Sequence, residues 1–155
     1  MGIASEHLVR FAASRAEVWA ALTRTDRYRS WWPWLRDFDG RGFDEGERWQ
    51  CAVRPPLPYT LRFAITLTEV VTHEFVGARL DGDIVGHAQL GLHDAEHGCV
   101  LELVSDLHAA GGVAGFVGRY IPPLARFGHD WVIENGAQQF RAAELAPSAG
   151  DQVPE

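Results

Sequence analysis

The segment GVAGFVGRYIPPLARFGHDWVIENGAQQFRAA, residues Gly112–Ala143, determines how the rest of this 155-residue chain can fold. Its apolar residues recur at steps of three and four, which place side chains on one face of an α-helix. That face consists of Val113, Phe116, Val117, Tyr120, Leu124, Phe127 and Trp131. Because Pro122 and Pro123 lack the N–H groups that a helix interior needs, the sequence predicts a kink there. A long, kinked C-terminal helix must therefore be buried against a large apolar surface.

The chain upstream of this helix supplies that surface as β-strands. Over Tyr59–Leu67, apolar and polar side chains alternate, which is typical of a strand with one buried face. Six further segments have strand patterns, namely Ile3–Phe11, Leu35–Phe43, Glu47–Arg54, Phe75–Asp81, Ile84–His93 and Cys99–Leu107. Asp81-Gly82-Asp83 is typical of a tight hairpin turn, so we expect about seven strands in a mostly antiparallel sheet.

Two short helices are expected after the first strand. Ser14 and Glu17 have the spacing at which a hydroxyl and a carboxylate cap each other's backbone N–H groups at a helix start. A second helical turn begins at Asp26 and must end near Trp32, because Pro33 disfavours a helical conformation in the residue before it.

These elements predict a single α+β domain over residues 1–143, in which a curved antiparallel sheet wraps around the kinked helix. Residues 144–155 are small and polar, and we expect them to be a disordered tail. Pro55-Pro56-Leu57-Pro58 predicts an extended loop at the rim of the sheet. A bent helix cannot lie flat on a sheet along its whole length, so the bend could leave a cavity beneath it.

The second half of the helix needs cover on two sides. Beyond Trp131 the apolar residues Val132, Ile133 and Phe140 turn away from the main apolar face. The tryptophan-rich segment Trp31–Trp34 is the candidate cover within the chain. Contact between two copies is the alternative, because homodimers also bury such surfaces, and the protein is expected to be a monomer or a homodimer.

Composition argues against several partners. A formal net charge of −7 disfavours nucleic acid and anionic membranes, which both require a basic face. The sequence has no apolar run long enough to span a membrane and no basic-then-apolar leader. Cys51 and Cys99 lie inside strand patterns and are expected to be buried free thiols. We therefore expect a soluble cytoplasmic protein.

Two sequence motifs and the order of the elements indicate a family resemblance. The motifs are Leu80–Gly86 (LDGDIVG) and Phe127–Gly136 (FGHDWVIENG). Over roughly residues 3 to 143 the chain resembles the polyketide cyclase/dehydrase and lipid-transport family. This family belongs to the START-like and birch-pollen-allergen-like group of helix-grip proteins, also called SRPBCC. The resemblance implies a deep apolar cavity between the long helix and the concave sheet. The group includes lipid carriers, aromatase/cyclases and plant hormone receptors, so the motifs specify fold more than activity.

Aromatic and aliphatic side chains in the expected inward phase are candidates for the cavity wall. The chain has six tryptophans, eight phenylalanines and three tyrosines, whose wide and slightly polar surfaces suit a flat apolar ligand. The ordinary role of such residues is core packing. The candidate ligand-binding residues are Trp32, Trp34, Trp49, Tyr59, Leu61, Phe63, Ile65, Leu90, Leu103, Phe116, Tyr120, Leu124 and Phe127.

Three polar side chains are candidates for acid–base chemistry in such a cavity. An apolar environment shifts the pKa of a carboxyl or imidazole group, which can make it a useful acid or base. His7 alternates with inward residues of the first strand, Glu69 follows Tyr59–Leu67 in phase, and Tyr59 could orient a ligand carbonyl. Each can equally be a satisfied buried or edge group. Asp130 projects away from the helix's apolar face and is interpreted as helix-to-sheet-edge packing and hydrogen bonding.

No cofactor or metal is expected. His93-Asp94-Ala95-Glu96-His97 contains potential zinc ligands, but it lies between two strands and is interpreted as a solvated hairpin tip. Three functions remain. The first is a protein that binds an apolar, aromatic or polycyclic small molecule, polyketide-like or lipid-like. The second is a cofactor-independent polyketide aromatase/cyclase or dehydratase that uses the same cavity. The third is a packed interaction module without a ligand.

Overall fold

The computed structural model describes the backbone of residues 2–54, 60–109 and 122–144, and the side chains of residues 4–54, 60–108 and 130–142. Its seven strands are β1 (Gly2–Phe11), β2 (Leu35–Asp39), β3 (Arg48–Val53), β4 (Leu61–Val71), β5 (Phe75–Gly82), β6 (Ile84–Ala95) and β7 (Gly98–Ala109). Its helices are α1 (Arg15–Leu22), a 3-10 turn (Thr25–Arg27), α2 (Tyr28–Trp31) and α3 (Pro122–Glu144).

The strands form one open antiparallel sheet in the order β1-β7-β6-β5-β4-β3-β2. This arrangement confirms the prediction of a seven-stranded antiparallel α+β fold. The hairpin prediction is also confirmed, since β5 ends at Gly82 and β6 begins at Ile84. Gly82 has φ +123°, a backbone conformation that favours glycine. The order leaves β1 and β2 at the two edges.

The short helices begin and end where the sequence predicts. Ser14 Oγ accepts a hydrogen bond from the backbone N–H of Glu17 at 3.1 Å, and the Glu17 carboxylate accepts one from the Ser14 N–H at 3.5 Å. This capping box starts α1. Helix α2 ends at Trp31, just before the Trp32-Pro33 step.

The second strand is shorter than predicted. It ends at Asp39 instead of Phe43, because the chain leaves the sheet at Gly40 to pass close to the Trp49 indole. The indole N–H of Trp49 donates a hydrogen bond to the Gly42 carbonyl at 2.8 Å. Phe43 then packs against Trp49 with ring centroids 5.6 Å apart. Contacts with Trp49 therefore take the place of strand pairing after Asp39.

The fourth strand continues to Val71 and contains a bulge that reverses its phase. Leu67 lies opposite Ala78 and Glu69 opposite Gly77, so Thr68 is the extra residue. After the bulge Val70 packs towards the core, and Glu69 is exposed on the outer face. The expectation that Glu69 faces inward is therefore wrong, because it assumed uninterrupted alternation.

The C-terminal helix α3 begins at the proline pair. Proline is well tolerated in the first turn of a helix, where its missing N–H has no intrahelical partner. The earlier part of the predicted helix, residues 112–121, lies outside the described residues, so the kink stays a prediction. The expected loop at 55–58 and the tail beyond Glu144 also lie outside them.

The tryptophan segment covers α3 as predicted. Phe140 is buried, with its ring 5.1 Å from the Trp31 ring and 5.9 Å from that of Phe11. The indole N–H of Trp32 donates to the Gly136 carbonyl at 2.9 Å, and that of Trp34 donates to Gln139 Oε1 at 2.8 Å. These contacts fix the C-terminal half of α3 against the segment that follows α2.

Candidate functional site

The inner face of the sheet is packed at one end and only partly covered at the other. On β7, Cys99 and Leu101 are buried, whereas Leu103 is half-buried; on β6, Leu92 is buried and Leu90 half-buried. The same change runs along β4, from Leu67 to Ile65, Phe63 and Leu61. It is interrupted on β5, where Leu80 is buried beyond the half-buried Ala78, and on β7, where Ser105 is buried beyond Leu103. The packed end is the one that α1, α2 and the C-terminal half of α3 cover.

Five predicted ligand-binding residues lie in the half-covered region. Leu61, Phe63 and Ile65 follow one another on the inward side of β4. Leu90 on β6 pairs directly with Leu103 on β7. All five are half-buried, and all but Leu61 pack with part of their surface against the buried core.

The three tryptophans of the predicted wall make specific contacts within the protein. Trp49 is buried in an aromatic cluster with Tyr28, Phe38 and Phe43. Trp32 and Trp34 are stacked with centroids 5.5 Å apart and hydrogen-bond to α3, as described above. These two hydrogen bonds hold α3 in place, and both rings are half-buried.

The remaining predicted wall residues cannot be compared with the structure. Tyr59, Phe116 and Tyr120 lie outside the described residues. Leu124 and Phe127 belong to α3, but their side chains also lie outside the described part of the chain.

Polar groups collect on the inner face where β1 meets β7. The inward residues of β1 are Ser5, His7, Val9 and Phe11, which confirms the predicted phase of this strand. Ser5 Oγ lies 2.9 Å from Ser105 Oγ, so one hydroxyl donates to the other. Two residues further along β1, His7 pairs with Leu103.

Helix α3 places a carboxylate against His7. Asp130 Oδ1 lies 3.5 Å from His7 Nε2, and 19% of the His7 side chain and 35% of the Asp130 side chain are exposed. The interpretation of Asp130 as a residue at the sheet edge agrees with its contact to β1, but sequence reasoning missed that its partner is His7. The signal that could have found it is the inward phase of His7, since an inward imidazole needs a polar neighbour.

Burial makes the nearby core groups poor nucleophiles. Both cysteines are free and buried, as predicted. Burial raises the pKa of the Cys51 thiol to about 12, and burial also raises the pKa of the Cys99 thiol. The pKa of Tyr28 is raised chiefly by burial, and its hydroxyl donates to the Leu22 carbonyl.

Two shallow grooves on the outer side of the sheet are lined largely by charged and polar side chains. The first, of about 350 Å³, includes Arg48, Arg62 and Asp81. Arg48 donates to both carboxylate oxygens of Asp81, at 3.0 and 3.1 Å, and this contact holds the pKa of Asp81 below its usual value. The second, of about 400 Å³, includes Arg15 and His93. Such linings do not suit an apolar ligand.

The His93–His97 segment ends a β-hairpin. Its first three residues are the last of β6, Glu96 and His97 form the turn, and β7 begins at Gly98. His93 lies 3.9 Å from Glu102 on the neighbouring strand, and His97 turns outward with 89% of its side chain exposed. Among the described residues no three potential ligands lie close enough to hold a metal ion. None of the described helices is long and apolar enough to cross a membrane.

Comparison with known proteins agrees with this architecture. The model of the family described as "Polyketide cyclase / dehydrase and lipid transport" matches residues 3–143. The chain belongs to this polyketide cyclase/dehydrase and lipid-transport family. A comparison with curated protein sequences gives no match.

Solved structures similar to this family member include an aromatase/cyclase, a norcoclaurine synthase and Ara h 8.0201. The Zhui aromatase/cyclase from Streptomyces sp. R1128 has a TM-score of 0.70 at 16% identity, over 99% of this chain and 100% of that one. Ara h 8.0201 has a TM-score of 0.71 at 10% identity, over 95% and 100% of the two chains. Norcoclaurine synthase from Thalictrum flavum, in complex with dopamine and hydroxybenzaldehyde, has a TM-score of 0.65 at 11% identity, over 96% and 90%. These similarities concern the fold.

Proposed function

We propose that this protein binds an apolar, aromatic or polycyclic small molecule, polyketide-like or lipid-like, between α3 and the inner face of the sheet. The observation that carries the proposal is the row of half-buried apolar side chains on that face, among them Phe63, Ile65, Leu90 and Leu103. On the inward side of a sheet, beneath a helix, such side chains are normally fully packed. Each further 100 Å² of apolar surface that a ligand removes from water contributes about 2.5 kcal/mol.

The family and the fold support the same class of ligand. Family membership makes a polyketide or a lipid the expected chemistry. One solved structure of similar fold contains dopamine and hydroxybenzaldehyde, which are both aromatic. Flat rings suit a wall of branched aliphatic and aromatic side chains.

Native mass spectrometry of freshly purified protein is the first test, because it detects a co-purifying ligand directly. The second test introduces Ala78→Phe, which projects a ring from β5 into the space proposed for the ligand. We expect this variant to fold with little change in the melting temperature and to lose at least about 10-fold in affinity for an apolar fluorescent probe. The matched control is Arg79→Phe, which places the same ring on the exposed outer face.

The two variants separate a hollow interior from a packed one. In a packed interior, Ala78→Phe would cost on the order of 1–3 kcal/mol of stability through overpacking. A strongly destabilised Ala78→Phe, together with a wild-type protein that binds no probe, would overturn the proposal and favour an interaction module.

A second candidate is an aromatase/cyclase or dehydratase that uses the same space. The observation that favours it is the imidazole of His7 beside the carboxylate of Asp130, a pair suited to moving a proton. A multiple-turnover assay with a poly-β-ketone separates the candidates. An enzyme changes the product distribution over many equivalents of substrate, whereas a binding protein affects at most one equivalent.

A further inference from the structure

The two edges of the sheet differ in how they are protected against pairing with a further strand. β2 has five residues, a register irregularity between Leu35 and Asp37, and three exposed charged side chains. Short length, irregularity and charge are the features that prevent an edge strand from pairing. β1 has ten residues, pairs with β7 without a register shift and carries Leu8, which is 62% exposed. The β1 edge therefore lacks the protection that the β2 edge has.

The backbone groups of Glu6, Leu8 and Arg10 point to the β1 edge. Arg141 of α3 donates to the Arg10 carbonyl at 2.6 Å, so this carbonyl points away from β7. In an antiparallel strand the N–H and C=O of one residue point to the same side, and alternate residues share that side. Glu6 and Leu8 therefore turn their N–H and C=O groups to the same edge. Within the described part of the chain, no side chain other than Arg141 bonds to these groups.

The hydrogen bonds across β5, β6 and β7 give the same phase independently. The Leu92 N–H donates to the Glu74 carbonyl beside β5 at 2.9 Å, so the next residue of β6, Gly91, bonds to Glu102 of β7. Glu102 then has no backbone group left for β1. Leu8 lies opposite Glu102, so its N–H and C=O remain available at the edge.

The side chains of the same three residues form a self-complementary row on the outer face of the sheet. All three are exposed, and Leu8 lies between a carboxylate two residues before it and a guanidinium two residues after it. Among the described residues, neither the Glu6 carboxylate nor the Arg10 guanidinium has an ion-pair partner. An acid–leucine–base row becomes base–leucine–acid when the strand direction is reversed. A second copy of β1 in the antiparallel direction is therefore its complement.

The charges select one register for such a pair. A two-fold axis through Leu8 places this leucine opposite its own copy and each Glu6 opposite Arg10 of the second copy. An axis through Glu6 or Arg10 would place like charges opposite each other, and an axis through His7 or Val9 would place the charges opposite apolar side chains. Directly opposite apolar or oppositely charged side chains stabilise a pair of strands, whereas like charges destabilise it.

We propose that this protein forms a homodimer in which the β1 strands of two copies pair antiparallel about a two-fold axis through Leu8. Opposite residues exchange both backbone hydrogen bonds, and the sheet continues from one protomer into the other. The Arg10 carbonyl has two lone pairs, so it can accept from Arg141 and from the second copy. A single pair of strands is a small interface, so the dimer is weak and concentration-dependent. This inference is independent of the proposed function, because it requires no ligand.

Sedimentation velocity of the wild-type protein is the first test. From about 5 to 500 µM, the range in which a small interface associates, we expect the average mass to rise from that of one chain towards that of two. A wild-type protein that stays monomeric throughout this range would overturn the inference and leave the β1 edge to an extended segment of another protein.

Charge reversal tests the register. Glu6→Arg and Arg10→Glu each create two like-charged pairs across the axis, so each variant alone should self-associate at least about 10-fold more weakly than the wild type. An equimolar mixture of the two variants should dimerise again, because positions 6 and 10 of one are complementary to those of the other. The double variant, which exchanges the two charges within one chain, should dimerise like the wild type.

A substitution at the axis tests the apolar contact. Leu8→Lys places two ammonium groups opposite each other and should abolish dimerisation over the same range of concentration. The matched control is Val71→Lys, which replaces another exposed apolar side chain, on the outer face of β4, and should leave the dimer unchanged. Both positions are exposed, so neither variant should change the melting temperature by more than a few degrees.

The variants also separate this interface from any other. A dimer that persists in Leu8→Lys, in Glu6→Arg and in Arg10→Glu would use another surface, and the inference would be overturned. If the two charge variants fail to associate when mixed, although the wild type dimerises, the register about Leu8 is wrong. Recovery in the mixture cannot come from a change in the fold of either variant, so it would support pairing at this edge.

Discussion

At the scale of single residues, a buried thiol and a buried phenol make the core sensitive to alkaline pH. Cys51 and Tyr28 both belong to the buried core, where water is excluded. Burial disfavours the thiolate and the phenolate, so both groups keep their protons in the folded protein well above their ordinary pKa values.

Stability should therefore fall above about pH 9. The pKa of Cys51 is about 12 in the folded protein against an ordinary 9.0, so between these values the unfolded chain loses a proton that the folded protein keeps. The free energy of unfolding then decreases with rising pH, by up to about 1.4 kcal/mol per pH unit for one group. Urea unfolding at pH 8, 9.5 and 10.5 measures the slope. Cys51→Ala should flatten it, and an unchanged slope would contradict this role of the thiol.

At the scale of the elements, α3 depends on a glycine. A Cβ at Gly136 would lie 3.2 Å from the Trp34 ring and 3.7 Å from the Trp32 indole nitrogen. The absence of a side chain lets both indoles approach the helix, and Trp32 bonds the Gly136 carbonyl directly. A residue with poor helix propensity is thus explained by the contact that it permits.

Gly136→Val should weaken this contact. Valine has the better helix propensity, yet we expect a loss of about 1–3 kcal/mol because its methyl groups must displace the indoles. Gln138→Val, at an exposed position of the same helix, is the control and should change stability by less than about 0.5 kcal/mol. Urea unfolding followed by circular dichroism measures both. Equal effects would show that the indoles are free to move aside.

The elements also show what the sequence can predict. The strands, the capping box and the β5–β6 hairpin follow from local patterns, because alternation and turn chemistry act between near neighbours. The end of β2 at Asp39 and the bulge at Thr68 do not, since each depends on contacts with another strand or with Trp49. The same holds for the site. The inward phase of the predicted wall residues on β4, β6 and β7 follows from alternation, whereas the approach of Asp130 to His7 depends on how α3 lies on the sheet.

At the scale of the whole molecule, the fold has a packed end and a half-covered end. Three helical pieces, α1, α2 and the C-terminal half of α3, pack against the first. The second is where inward aliphatic side chains stay partly accessible. Local opening costs less free energy where fewer apolar contacts must be broken, so the two ends should differ in amide protection.

Hydrogen exchange should locate a bound ligand at the half-covered end. Addition of 2-methylnaphthalene is expected to slow amide exchange in peptides that cover residues 61–65, 84–90 and 103–108. Exchange in residues 15–22 and 28–31, which form α1 and α2, should stay the same, because the packed end has no room for the probe. Mass spectrometry of proteolytic fragments measures both sets. Slowing confined to the packed end, or spread evenly, would contradict a ligand at the half-covered end.

The attachment of α3 has a mechanical consequence. Its C-terminal half is fastened by the indoles of Trp32 and Trp34 and by Arg141, which donates to the Arg10 carbonyl at 2.6 Å. If α3 moves while these bonds are preserved, its N-terminal half tilts as a rigid body about a point near Gly136. The helix from Gly136 to Pro122 is about 21 Å long at 1.5 Å per residue, so a tilt of about 10° moves its N-terminal end by about 4 Å. That is roughly the thickness of one aromatic ring.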